Sequence, residues 1–228
     1  MTTKVTNLVL AAAALLGVLG CTHATPLTVA IEAPAGRPKP ALELRSVEYV
    51  ASESKLANIG TYAWGRYDEE DLEALRVSFQ NSVAPFAAKS GSRLHILVRR
   101  VLVATTSSAA LTLSCVAWAM EGSDGSLLFH EQFYAWDSVH LLGSTKGVKN
   151  GMHEAIVQRV LQTAVRLATS GGAPPPTPDP PRTSTDFQGV ARVLPSFLLT
   201  GYGVPGATQV SWVRKLDDVD WTDYLRGK

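Results

Sequence analysis

Cysteine is nearly absent from this chain: Cys21 and Cys115 are the only two in 228 residues. That excludes a disulfide-stapled scaffold and a cysteine-based zinc framework. Charge is sparse and balanced, at 18% of residues and a formal net charge of +1, so no basic stripe suits a nucleic-acid backbone. Hydrophobic length is short as well. The apolar run Leu8 to Leu19 spans about 12 residues, against the roughly 20 that cross a bilayer core. The rest, 46% hydrophobic, is globular in character and long enough for one domain with extensions.

The short apolar run has a use of its own. Lys4 precedes it and Val18-Leu19-Gly20-Cys21 closes it, the layout of a secretory signal: positive start, apolar segment, small residue before the cut. The closing residues resemble the bacterial lipoprotein signal. That resemblance implies cleavage before Cys21, which becomes the N-terminus and carries fatty acyl chains such as palmitate. One chain anchors marginally, at about 0.8 kcal/mol per buried methylene, and several anchor lastingly. Thr22 in place of aspartate implies, on the same resemblance, the outer membrane with the folded part facing the periplasm. Cys115 is then left without an intramolecular partner in an oxidising compartment. Its apolar neighbours make it a small buried hydrophobe rather than a nucleophile.

Beyond the signal (1–20), residues 21–41 read as a tether. Leu27 to Ile31 alternates like a short strand, and Pro34, Gly36, Pro38 and Pro40 then keep the backbone out of regular ladders. Residues 42–170 form the domain. Leu42 to Val50 is the first strand. A helix over Asp68 to Ala88 is capped by Asp68 and interrupted near Pro85, with Leu72, Leu75, Phe79, Val83 and Phe86 on one stripe. Strands follow over Arg93 to Thr105, Ala110 to Met120 and Leu127 to Ser138. Their short links, one with the Asp124-Gly125 pair, predict an antiparallel meander. A second helix, Val148 to Ala168, buries Val148, Met152, Ile156 and Val160 and turns Lys149, Glu154, Gln158 and Arg159 outward. The expected fold is α+β: strand, helix, three-stranded antiparallel meander, helix, with both helices on one face of the sheet. A proline-rich linker (171–182) leads to a C-terminal tail (183–228) too small to fold alone, which either docks back or engages another chain.

With that order, Gly60-Thr61-Tyr62-Ala63-Trp64 before an acidic-capped helix, the strand from Leu94 to Val103, and the strand–turn–strand from Leu111 to Trp136 resemble the auxiliary lipoproteins of ABC-type transport systems. The resemblance covers about Leu42 to Ala168. It implies an accessory role in lipid-trafficking assemblies of the Gram-negative envelope, and it offers no catalytic residues. Tyr62-Ala63-Trp64 with Thr61 is also similar to the signature of another envelope-lipoprotein domain.

Motifs that would carry chemistry are incomplete. His153-Glu154 lacks the second histidine of H-E-x-x-H, since Val157 stands there, and reads as an exposed helix face. Gly201 to Gly206 spells G-x-G-x-x-G but is followed by Gln209 to Val213, a strand-like run rather than a helix, so it reads as a turn. Asp217, Asp218, Asp220 and Asp223 lack the glycine and late glutamate of a calcium loop and lie among basic residues. His130 and Glu131 adjoin on a strand and point apart. No serine triad is oriented. The expectation is a protein with no catalytic residues, metal or cofactor. It would bind through the membrane lipid and through an envelope protein or lipid partner, with no nucleic acid. Trp118, Tyr134 and Trp136 are the candidate partner-binding face, or else they pack against the tail. The leading function is an accessory or binding component of a periplasmic assembly, a lipid-transport one included. The alternative is a stand-alone binder of a small apolar ligand between sheet and helices.

Overall fold

The computed structural model describes residues 23–50, 63–64, 67–88, 90–105, 109–140, 144–170, 182–185 and 217–227. The signal, Cys21, Thr61-Tyr62, most of the proline-rich linker and most of the tail, including Gly201 to Gly206, lie outside them. The elements in order are β1 (Leu42–Tyr49), β2 (Ala63–Trp64), α1 (Glu69–Val83) with a 3-10 turn (Ala84–Phe86), β3 (Ser92–Thr105), β4 (Ala109–Glu121), β5 (Leu127–His140), α2 (Thr145–Ser170), β6 (Thr183–Ser184) and α3 (Trp221–Arg226). The fold is α+β, with strand, helix, meander and helix in the expected order.

One mixed sheet runs β1-β3-β4-β5-β6, and β2 pairs with the far end of β3. β3, β4 and β5 form the antiparallel meander. Gly125, at φ +84°, takes the positive-φ position of the β4–β5 turn. β1 lies parallel to β3, because α1 carries the chain back between them. The main core fills the space between the sheet and both helices, with Leu72, Leu75 and Phe79 of α1 and Met152, Ile156 and Val160 of α2 over Ile96, Val116 and Phe133. Asp68 caps α1 and shares a capping box with Asp71. Helix geometry ends at Pro85, as the missing N–H requires.

The predicted tether is not a spacer. Residues 23–33 lie as a strap along the outer side of α1, and the segment over Leu27 to Ile31 pairs with a helix instead of forming a strand. The Leu27 amide donates to Ser78 Oγ at 3.0 Å and the Val29 amide to Ser82 Oγ at 2.9 Å. Each hydroxyl donates in turn to the helix carbonyl four residues back, Ala74 O at 2.6 Å and Ser78 O at 2.7 Å. Serine hydroxyls thus replace the carbonyl partners a strand would have found. Val29, Ile31 and Ala33 close over the core edge.

The described ends of the tail dock back on the domain. β6 joins the β5 edge, and α3 covers the face of the sheet that α1 and α2 leave free. There Trp221 sits against Leu97, Ala117 and Ala119.

Candidate functional site

Two polar clusters and one aromatic group could carry function. The first lies where α1 and α2 begin. Asp71, fully buried, accepts from the Ala24 amide at 2.7 Å, the Asp68 amide at 3.2 Å and Lys149 Nζ at 2.6 Å. Lys149 is also buried, contrary to its expected outward place, because Asp71 of the other helix compensates its charge. Breaking such a pair from one side typically costs about 3–5 kcal/mol. Beside it His153 is buried too, a second correction to the expected exposed face, with its Nε2 at 3.1 Å from Tyr67 Oη. Its Nδ1 has no hydrogen-bond partner among the described residues. Burial, then the Lys149 charge, push the His153 pKa down to about 3, so its imidazole is neutral. Burial, then Asp71, hold the Tyr67 phenol well above its usual value, so it stays protonated. This cluster is sealed beneath helices and strap.

His23 joins the rim, 3.2 Å from Asp68 Oδ1 and 3.8 Å from Asp71 Oδ1. His23, Asp68 and Asp71 are the described group whose donor atoms lie close enough to hold a metal ion. The donor set does not suit one. Asp71 is already saturated by two amides and an ammonium, and Lys149 supplies the cation that the carboxylate needs.

The second cluster was not legible in the sequence. On the α3 side of the sheet, His95 Nε2 lies 2.8 Å from Glu121 Oε2 and His95 Nδ1 lies 3.2 Å from Ser46 Oγ. Arg93 donates to the other Glu121 oxygen at 3.0 Å. Burial raises the Glu121 carboxyl, but the hydrogen bonds from His95 and Arg93 outweigh it and hold the group below its ordinary value. The order serine, imidazole, carboxylate is what a nucleophilic serine needs. Here the approach is occupied. Tyr224 of α3 places its hydroxyl 3.4 Å from Ser46 Oγ and its ring edge-to-face on His95, with centroids 6.0 Å apart. The array therefore holds α3 in place. Arg99, the extra residue of a β3 bulge, adds to this by donating to the Asp217 carbonyl and to Gln132 Oε1, the latter at 2.7 Å. Asp220 caps α3 rather than binding an ion.

The aromatic face divides. Trp118 pairs with Glu131, whereas Tyr134 pairs with Cys115 and Trp136 with Leu113, which puts Trp118 on the opposite side of the sheet from the other two. Trp118 is wholly buried under the helices, packed on Phe129 with ring centroids 5.2 Å apart. Its Nε1–H donates to Glu131 at 3.2 Å, and Arg159 of α2 binds the same carboxylate. It is a core residue and not part of a partner surface. Tyr134 is buried and Trp136 half-buried on the α3 side. Cys115 is buried on that side, as its neighbours required. The large hydrophobic side chains that stand out to solvent among the described residues are Leu127 and Leu128, just after the β4–β5 turn; sequence reasoning passed over them.

No protein-family model and no curated protein matches this chain. The functional reading rests on its own residues.

Proposed function

We propose that this protein is a lipid-anchored envelope lipoprotein that serves as a non-catalytic accessory or binding component of a periplasmic assembly. The observation that carries the reading is Leu19-Gly20-Cys21 closing a short apolar run behind Lys4. Two features support a binding role over a chemical one. The neutral His153 is sealed from solvent, and Ser46 of the Ser46–His95–Glu121 array is covered by Tyr224. The likeness to transport-system auxiliary lipoproteins points to an assembly that handles lipid. With Trp118 removed from the surface, partner contact falls to Trp136 and to the exposed Leu127–Leu128 pair.

Metabolic labelling with a fatty-acid analogue should mark the wild-type protein and not Cys21→Ser, which should leave the membrane fraction. Equal fractionation of the two would sink the anchor. Photo-crosslinkers at Leu128 and Trp136 should capture an envelope protein. A lipid recovered in place of a protein would turn the reading to a stand-alone binder.

A further inference from the structure

We infer that the protein meets the membrane end-on, through the pole of the domain where α1 and α2 begin, with the β4–β5 turn held at the far pole. This rests on Cys21 being the lipid-bearing residue and goes beyond it, because a lipid anchor alone fixes no orientation. The order of the fold comes first. β1 and β3 are parallel with α1 returning between them, so α1 starts where β1 and β3 end; β5 also ends there and α2 starts there. The chain enters at this same pole, and it enters docked. His23 lies between Asp68 and Glu70, its Nε2 3.5 Å from Glu70 Oε2. The Ala24 amide is held by the buried Asp71. Thr25 and Asn150 of α2 exchange two hydrogen bonds, at 2.8 and 3.0 Å.

Docking so early leaves almost no slack. The two peptide steps from Cys21 to His23 span at most about 7 Å, whereas a flexible tether of twenty residues would span about 25 Å and let the domain tumble. The pole therefore rests at the headgroups. The 26 residues of α2 measure about 39 Å, so the β4–β5 turn with Leu127 and Leu128 stands about that far from the bilayer. A partner reaching those leucines meets them at that height. The chemistry of the pole defines the surface it fits. Glu69, Glu70 and Glu73 are exposed, and Arg76 is engaged by Glu69 and Glu73. Such an end lacks the cluster of free cations that draws a protein to anionic lipid. It suits a zwitterionic headgroup layer, and the acyl chains rather than charge keep it there.

Lipidated full-length protein in zwitterionic vesicles, with nitroxide on a fraction of the headgroups, tests this. A fluorophore is placed at Glu69→Cys or at Asp124→Cys; Cys115 is buried and does not label. Quenching should be several-fold stronger at position 69 than at 124. Equal or reversed quenching in protein that floats with the vesicles would overturn the orientation while leaving the anchor standing. Failure to float, with no acyl mass on the N-terminal peptide, would overturn the anchor and this inference with it. Inserting twenty Gly/Ser residues between Thr22 and His23 should keep flotation and erase the contrast. If the contrast survives the insertion, the short connection is not what orients the domain and the inference fails.

Discussion

At the scale of single residues, the buried His153 makes the fold sensitive to mild acid. An unfolded histidine takes up a proton near pH 6.5, but burial and Lys149 keep the folded one neutral down to about 3. Between those values the unfolded chain binds a proton that the folded chain refuses, so stability is full above about pH 6.5 and falls as pH drops, by up to about 1.4 kcal/mol per unit. Glu121 works in the same direction but lower. Its folded carboxyl lies below the usual range, so its contribution is lost only as pH falls past ordinary carboxylate values. His153→Gln keeps a hydrogen-bonding partner for Tyr67 and does not titrate. Denaturant titrations between pH 6.5 and 5 should show the wild-type slope largely flattened in this variant; an unchanged slope would place the acid sensitivity elsewhere. The sequence pattern set His153 and Lys149 on the outside of their helix. Their burial depends on Asp71 and Tyr67 from distant parts of the chain, and helical periodicity carries no record of such a partner.

Among the elements, the strap on α1 is the clearest test of how local sequence becomes structure. Ser78 and Ser82 read as indifferent helix positions, yet they are the acceptors for two strap amides. Changing both to alanine leaves two partly buried N–H groups unpaired, at about 1–3 kcal/mol each. Better helix propensity returns roughly 0.5 kcal/mol per site. The net loss for Ser78→Ala/Ser82→Ala is therefore about 1–3 kcal/mol, toward the low end because the bonds are only partly buried. It should appear as faster hydrogen exchange at the Leu27 and Val29 amides before any change in the sheet. Protection that stays at the wild-type level would mean that the strap is held by its apolar side chains alone. Element types and order were legible because each long segment carries its own period: Leu94, Ile96 and Val98 on a strand, Leu72, Leu75 and Phe79 on a helix. What was not legible is phase. A bulge opposite Leu44/Ser46 shifts β1, so that Val47 follows Leu44 into the core, and the Arg99 bulge does the same for Val101 in β3. Across the β4–β5 turn a further shift at Met120/Glu121 sets Trp118 beside Phe129 rather than beside Trp136.

For the molecule as a whole, the sheet is protected from both sides by unequal means. One face has two long helices; the other has α3, six residues held by Trp221 among Leu97, Ala117 and Ala119. Neither side of that contact stood out in the sequence. Ala117 and Ala119 look neutral on a strand, and their meaning as a slot for an indole appears only when the tail is folded back. Burying one tryptophan removes about 150–250 Å² from water, or roughly 4–6 kcal/mol, while ordering six residues costs on the order of 6–12 kcal/mol. The helix therefore also needs the Asp220 cap, the Tyr224 contacts with His95 and Ser46, and the Arg99 bond to Asp217 to stay docked. A unit balanced this closely opens before the rest of the fold does. Trp221→Ala should accordingly release α3 without unfolding the meander. Binding of a hydrophobic dye should rise in native buffer as Leu97 and its neighbours are uncovered, while far-ultraviolet dichroism stays as in the wild type. If dye binding and the unfolding midpoint both stay unchanged, α3 does not depend on its indole. If the dichroism collapses instead, α3 belongs to the cooperative core, and the second face is as firmly closed as the first.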